Sequence, residues 1–182
     1  MDIQLLAEQF SQALIEIDGE VKDNGKYGPG IGPHNETTVT SLLAQKLIGQ
    51  GYEVRTEEHY ENEGRLDMLV VANESAAIEF KVIRIRATGN PEPHLIKQIL
   101  SPYPEDRSAL TDIEKVSTFD ATHKIFALIV YQYEVWNSDL LVDLFQMIAR
   151  TRKDFEIFEH PFEGLRHQFH KKGKFILHVL ED

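Results

Sequence analysis

The chain has 182 residues, 42% of them hydrophobic and 27% charged, which is ordinary for a globular protein long enough to bury a core. Its formal net charge of -11 argues against a general nucleic-acid coating protein, so a polyanionic partner would have to meet a locally basic surface. The lack of cysteine excludes disulfides and thiolate metal sites.

The sequence also limits the compartment. Its start, MDIQLLAEQF, lacks the basic residues and the long apolar run of a signal peptide. No stretch approaches the ~20 apolar residues that a membrane-spanning helix needs. We therefore expect a cytoplasmic protein without a membrane partner, folded as a single domain over residues 1–182.

Two helices are predicted near the start of the chain. Residues 3–17 place apolar side chains at helical spacing, and a second apolar stripe begins at about Glu36 and ends at Gly49. The segment 23–35 is rich in glycine and proline and is predicted to be a loop. Its glycines follow no phosphate-binding pattern, so we assign no such role to it.

A run of strands follows. Apolar and charged residues alternate over 52–56, as in a half-exposed strand. Residues 65–72 and 76–85 are rich in Val, Ile, Leu and Ala, and the ANES sequence between them is typical of a turn. These two segments therefore predict a β-hairpin.

The second half of the chain alternates helices with strands. We predict a helical region over about 94–118, interrupted by SPYPED, and a central strand over 123–135. A further helix, capped by Ser138 or Asp139, precedes two terminal strands at 155–160 and 174–180. The apolar residues of that helix are Leu140, Leu141, Leu144, Phe145 and Ile148.

This order of elements predicts an α/β sandwich. We expect a mixed central β-sheet, antiparallel through the hairpin, with helices on both faces.

The hairpin contains charged residues where an apolar core would be expected to continue. Side chains alternate along a strand, so Glu79 and Lys81 point to one side of the sheet. Positions 67 and 79 are symmetric about Asn73, which lies in the turn, so Asp67 is predicted to lie across the hairpin from Glu79. A slip of one residue would turn the aspartate to the opposite face.

Two neighbouring carboxylates repel each other unless a positive charge lies between them. Lys81 supplies part of that charge, and a divalent cation would supply more. Oxygen ligands from Asp67, Glu79 and the backbone carbonyl of Phe80 suit Mg²⁺, and Mn²⁺ is expected to substitute for it. Spacing alone gives equal weight to an ordinary Glu–Lys–Asp cluster on a solvated sheet face.

The segment GRLDMLVVANESAAIEFKV, residues 64–82, resembles the core motif of the PD-(D/E)XK nuclease superfamily. Asp67 matches the first acid of that motif, Glu79 the second and Lys81 the lysine, while Leu66 stands where many members have proline. The resemblance covers about residues 34–135. It implies a restriction-endonuclease-like fold and a metal-dependent endonuclease that hydrolyses phosphodiester bonds in DNA.

The resemblance also implies further site residues. A glutamate on the helix before the strands often joins the metal site in this superfamily, and Glu36 stands at that position. The alternative is that Glu36 is a helix-start acid favoured by the macrodipole. Arg65, Lys97 and Gln98 are candidates for contacts with nucleic acid. The alternative interpretation is that each is an ordinary surface residue.

Other charged residues are given no catalytic role. Arg84 and Arg86 have the opposite parity to Lys81 and are expected to face away from it if the strand stays regular, and Lys115 is expected to be solvated. The segment HPFEGLRHQFH, residues 160–170, is interpreted as a basic patch or an ordinary solvated hairpin rather than a zinc site.

Two hypotheses about function follow. The first is a Mg²⁺-dependent nuclease acting on DNA, with RNA as the other possible polymer and with a homodimer favoured if both strands are cut. The second is a nuclease-like module without catalytic activity that binds DNA or a protein partner. Under the first hypothesis, Lys81→Ala should abolish cleavage while changing stability little.

Overall fold

The computed structural model describes residues 1–23, 28–60, 64–86, 94–133 and 136–181. Parts of two predicted elements, residues 24–27 of the glycine-rich loop and residues 134–135 of the central strand, lie outside this range.

Five α-helices are present in the described residues, and a 3₁₀ turn at Pro104–Asp106 separates the third from the fourth. The helices are α1 Ile3–Glu20, α2 Glu36–Gly49, α3 Leu95–Leu100, α4 Ala109–Val116 and α5 Ser138–Ala149. The strands are β1 Glu53–Arg55, β2 Glu58–His59, β3 Arg65–Leu66, β4 Met68–Val71, β5 Ala76–Ile83, β6 His123–Tyr131, β7 Phe155–Glu163 and β8 Lys172–Leu180.

Six of the strands form one mixed sheet in the order β1-β4-β5-β6-β8-β7, and β2 pairs with β3 in a small second sheet. The central pair β5 and β6 is parallel, and the other neighbours are antiparallel. A parallel pair needs a long crossover, which here contains α3 and α4. The predicted mixed sheet, antiparallel through the hairpin, is confirmed.

Helices cover both faces of the sheet, and a hydrophobic core lies between the sheet and the helices on each face. Apolar residues of α1 and α2, among them Phe10 and Leu43, pack with Ile78 and Phe80 of β5 on one face. Residues of α3, α4 and α5 pack with Phe126 and its neighbours on the other face. The prediction of helices on both faces is therefore confirmed.

Side-chain caps fix where the helices begin. Asn35 accepts a hydrogen bond from the backbone N–H of Thr38 at 2.8 Å, which satisfies one of the unpaired donors of the first turn of α2 and places Glu36 as its first residue. Asn137 caps α5 in the same way, so the predicted caps Ser138 and Asp139 are wrong by one or two positions.

The buried face of α5 also differs from the prediction. Leu141 and Phe145 are buried, but Leu140 is 67% exposed. The helix packs on Val142 and Ala149 instead, because its buried face is rotated toward residues that the apolar pattern did not single out.

The loop before α2 is held by buried polar groups. Asp18 of α1 accepts the backbone N–H of Ile31 at 2.9 Å and that of Arg166 at 2.8 Å. Gly30 has φ of +82°, and a Cβ there would lie 2.1 Å from the Asp18 carboxylate. Glycine is required at this position both by conformation and by space.

Candidate functional site

The hairpin has the register that its symmetry predicts. Met68 pairs with Ile78 and Val70 with Ala76, so the same register continued by one residue sets Asp67 opposite Glu79. Regular pairing is interrupted at Asp67, which lies between β3 and β4. Its Oδ2 accepts the backbone N–H of Phe80 at 2.8 Å, and this bond ties the aspartate to the strand that carries Glu79 and Lys81.

A cavity of about 860 Å³ opens over this part of the sheet, and we call it the acidic cavity. It is lined by five carboxylate residues and four cationic residues together with Gly64, Pro104 and Thr111. The carboxylates are Glu36, Glu57, Asp67, Glu79 and Asp112, and the cations are Arg65, Lys81, Arg107 and Lys115. The four residues predicted to be catalytic thus line one cavity, although Glu36 is 45 positions from Lys81 in the chain.

Glu79 is the most buried of these acids, with 3% of its surface exposed. Its Oε1 accepts the Tyr60 hydroxyl at 2.8 Å and Lys115 Nζ at 2.7 Å. Burial and the neighbouring carboxylate of Asp67 raise the pKa of Glu79 to about 8, and the bonds from Lys115 and Tyr60 oppose that rise. Glu79 therefore takes up a proton more readily than an ordinary glutamate.

Lys81 lies between two other acids, with its side chain 15% exposed. Its Nζ is 2.8 Å from Asp112 Oδ2 and 3.3 Å from Glu36 Oε1. Burial disfavours the charged form, but attraction to Glu36 and Asp112 outweighs it and raises the pKa of Lys81. Lys81 is therefore a permanent cation and hydrogen-bond donor at neutral pH, not a general base.

Glu36 reaches this cation from the first turn of α2. Its Oε2 also accepts the backbone N–H of Val82 at 2.9 Å, which ties α2 to β5. Burial raises the pKa of Glu36, and Lys81 opposes the change. Burial likewise raises the pKa of Asp112 against the effect of Lys81. Lys81 is thus the main compensating charge for both carboxyls.

Of the three residues predicted to contact nucleic acid, two line the acidic cavity or the cavity that adjoins it, and the third lines a separate surface cavity. Arg65 lines the acidic cavity, is exposed and pairs with Glu57 at 3.0 Å. Gln98 lines a smaller adjoining cavity. Lys97 lines neither of these two cavities, and its Nζ pairs with Asp106 at 2.8 Å.

Two residues set aside in the sequence contribute to the site. Lys115, expected to be solvated, instead ion-pairs with Glu79 and also donates to the Arg65 carbonyl at 2.7 Å. Arg84, expected to face away from Lys81, lines the smaller cavity with it because β5 ends at Ile83 and the regular alternation ends there too.

Three further members of the site were missed altogether: Tyr60, Arg107 and Asp112. Asp112 and Lys115 are three positions apart on α4, so they share a helix face. That spacing is a usable signal, but it does not reveal that the face covers the hairpin.

Two histidines of the histidine-rich segment are buried rather than solvated. His167 and His170 are buried, and their Nδ1 atoms lie 2.6 Å apart. His170 Nε2 lies 2.8 Å from the carbonyl oxygen of Ile85, and burial lowers the pKa of His170 to about 4. These rings connect the exit of β5 with the segment before β8, so the interpretation of 160–170 as a phosphate-contacting surface is wrong for both histidines.

Among the described residues, no group of three or more His, Asp or Glu side chains is arranged to hold a metal ion. The donor chemistry nevertheless suits a hard cation, because Mg²⁺ is held by few carboxylates and keeps several waters. Asp67 and Glu79 are adjacent across the hairpin, but Lys115 occupies Oε1 of Glu79 in this arrangement.

In the part of the chain that the structure describes, no helix is both long and apolar enough to cross a membrane.

Comparisons of this chain with protein-family models, with curated proteins and with solved structures gave no match. The resemblance to the PD-(D/E)XK superfamily therefore depends on the residues of the hairpin and on their arrangement.

Proposed function

We propose that this protein is a Mg²⁺-dependent nuclease that hydrolyses phosphodiester bonds in DNA at the acidic cavity. The observation that carries the proposal is that Asp67, Glu79, Lys81 and Glu36 line one cavity although they come from a helix and both arms of a hairpin. Acidic residues from both arms of the hairpin lie there beside a lysine, and this is the set of residues that the resemblance implies.

The charge balance supports a cation as the missing component. The inner part of the cavity holds four carboxylates, Glu36, Asp67, Glu79 and Asp112, against the two ammonium groups of Lys81 and Lys115. The raised pKa of Glu79 reports this excess of negative charge in a poorly solvated place. A divalent cation would balance it without protonating an acid.

The metal would be held by Asp67 and Glu79 with the backbone carbonyl of Phe80, and by Glu36 directly or through water. When bound, Mg²⁺ supplies a Lewis acid that offsets the charge growing on a phosphate. Oε1 of Glu79 accepts the Lys115 ammonium, so a metal held at that oxygen would replace this contact.

The lysine, the tyrosine and the two arginines of this site have different roles in the proposed reaction. Lys81 stays protonated, so its ammonium donates hydrogen bonds to a phosphate oxygen or to the attacking water and orients it. Tyr60 orients Glu79 through its hydroxyl, and burial raises the pKa of Tyr60, which keeps it a donor. Arg65 and Arg107 lie at the cavity lining, where they meet the polyanion.

The proposal is tested by incubating the protein with labelled single- and double-stranded DNA and with RNA, in Mg²⁺, in Mn²⁺ and in EDTA. We expect cleavage of DNA with either metal and none in EDTA. Glu79→Gln should remove activity, while Glu57→Gln, which changes an exposed acid of the same cavity, should retain most of it. Absence of metal-dependent cleavage of every polymer by the wild type would refute the proposal.

One observation favours a second candidate, a module that binds DNA or a protein without cleaving. Each of the four inner carboxylates accepts a hydrogen bond or ion pair from the protein itself. A site satisfied in this way has no need of a metal. Binding of DNA that is equally tight in Mg²⁺ and in EDTA, without cleavage, would support this candidate.

A further inference from the structure

A second, smaller cavity of about 280 Å³ adjoins the acidic cavity. Glu36, Lys81 and Arg107 line both, so the two are continuous at these side chains. The remaining lining residues of the smaller cavity are Val82, Arg84, Gln98 and Asp106.

The two cavities differ in the sign of their charge. Five acids face four cations in the acidic cavity, whereas three cations, Lys81, Arg84 and Arg107, face two acids in the smaller one. Asp106 is already neutralised, since Lys97 binds one of its oxygens at 2.8 Å and Ser101 donates to the other. Lys81 is likewise paired with Glu36 and Asp112, so the positive charge of the smaller cavity comes mainly from Arg84 and Arg107.

Two guanidinium groups supply that positive charge. Arg84 donates to the Gly32 carbonyl at 3.1 Å, which fixes its position at the end of β5. Gln98 adds an amide from α3, so donors converge from three separate parts of the fold.

Arg107 is placed by an unusual backbone conformation. Its φ of 47° lies in the left-handed region, between the 3₁₀ turn and α4, and a residue other than glycine carries a conformational cost there. The carbonyl oxygen of Arg107 accepts Lys81 Nζ at 3.5 Å, which ties this turn to the lysine of the acidic cavity. The side chain lines the boundary between the cavities.

We propose that the smaller cavity is an anion subsite that binds a phosphate of the nucleic-acid strand next to the one held at the acidic cavity. A guanidinium group binds two phosphate oxygens through parallel hydrogen bonds and remains charged at every physiological pH. A volume of about 280 Å³ takes a phosphate with its sugar rather than a stacked base pair. This inference rests on the proposed function and extends it to how the substrate strand is positioned.

The test measures binding without cleavage. A fluorescein-labelled single-stranded DNA 12-mer is titrated in EDTA at several salt concentrations with wild type, Arg107→Gln and Arg55→Gln. Arg55 is the matched control, because it is an exposed arginine of β1 that pairs with Glu53 and lies outside both cavities. We expect Arg107→Gln to weaken binding about tenfold and to lower the salt slope by about one, with Arg55→Gln unchanged.

The possible results separate this inference from the nuclease proposal. An unchanged Kd for folded Arg107→Gln, or no binding of the 12-mer by the wild type, would overturn the subsite. Because the 12-mer is not cleaved in EDTA, a selective effect of Arg107→Gln upholds the subsite even if the wild type never cleaves with Mg²⁺. Cleavage by the wild type with no effect of Arg107→Gln on Kd or on kcat/KM would leave the nuclease standing and remove the subsite.

Discussion

Lys115→Met should tighten the binding of Mg²⁺. The ammonium of Lys115 lies 2.7 Å from Glu79 Oε1 and 4.7 Å from the centre of the Tyr60 ring, so it occupies the side of the carboxylate that a metal would approach. Methionine keeps an unbranched apolar side chain of similar length and removes the charge together with the hydrogen bond to the Arg65 carbonyl. A divalent ion then meets neither a competing ligand nor a repelling cation.

The size of the effect follows from the geometry. Coulomb's law with an effective dielectric constant of about 20 gives about 4 kcal/mol for two unit charges about 4 Å apart. The Lys115 side chain is 31% exposed, so water screens part of this repulsion. About 1.5–3 kcal/mol should remain, which corresponds to about a tenfold to hundredfold lower Kd.

Protonation of Glu79 competes with metal binding and opposes this gain in affinity. Lys115 lowers the pKa of Glu79, so its removal moves that pKa further above about 8 and strengthens competition by the proton. The tightening should therefore be larger at pH 8.5 than at pH 7. In the wild type as well, Mg²⁺ affinity should rise with pH up to about 8 and then level off.

The assay is calorimetric titration of Mg²⁺ into wild type and three variants. Lys115→Arg keeps the charge and should show little tightening. Lys46→Met removes a lysine that pairs with Glu16 and Glu20 away from the cavity, so it should leave the affinity unchanged. An equal or weaker affinity of folded Lys115→Met at pH 8.5 would refute the competition between lysine and metal.

Three further predictions concern stability and are checked by thermal and denaturant unfolding. Lys81→Ala should destabilise the fold by about 1–3 kcal/mol, because it leaves two poorly solvated carboxylates without the lysine between them. This differs from the expectation from sequence that stability would change little. Equal stability of this variant and the wild type at pH 7 would contradict the prediction. Gly30→Ala should lower the free energy of unfolding by more than about 2 kcal/mol, because the added Cβ clashes and the residue has a positive φ. Gly49→Ala has open space around the added Cβ and should be neutral or slightly stabilising. Equal effects of the two substitutions would contradict the packing argument. Burial lowers the pKa of both His170 and His178 to about 4, below the ordinary 6.5, so their contribution to stability is complete above pH 6.5 and should be lost as pH drops toward 4, by up to about 3 kcal/mol for each. The raised pKa of Glu79 acts in the opposite direction, so the effect is measured as the difference in stability between wild type and His178→Phe. A difference that stays constant between pH 6.5 and pH 4 would show that the ring of His178 is not held neutral.

The hairpin was predictable because its information is local. Strand alternation and the symmetry of the turn are enough to set Asp67 across from Glu79, and the cap Asn35 with its apolar stripe is enough to start a helix near Glu36. These rules operate within a few residues. They therefore give the acids and the lysine of the hairpin motif, but not the counter-ions that α4 supplies.

The counter-ions come from tertiary packing. Lys115 and Asp112 reach the hairpin only because the crossover lays α4 over β5, and no short-range pattern states which helix face lands there. The same reason explains the histidines: His167 and His170 look solvated in a basic segment, but packing against Tyr131 encloses the ring of His170. Arg84 was misplaced because β5 ends one residue before it.

The parallel pairing of β5 with β6 has a consequence for the order of folding. Ala76 pairs with His123, so each contact of this pair closes a loop of 47 residues (123 minus 76), whereas the β4–β5 hairpin closes a short one. Loop closure favours the hairpin first and the crossover later. Until α4 docks, Glu79 lacks the burial and the Lys115 contact that set its pKa in the folded protein, so an isolated peptide of residues 64–84 carries the Asp–Glu–Lys motif without the electrostatics that would make it a site.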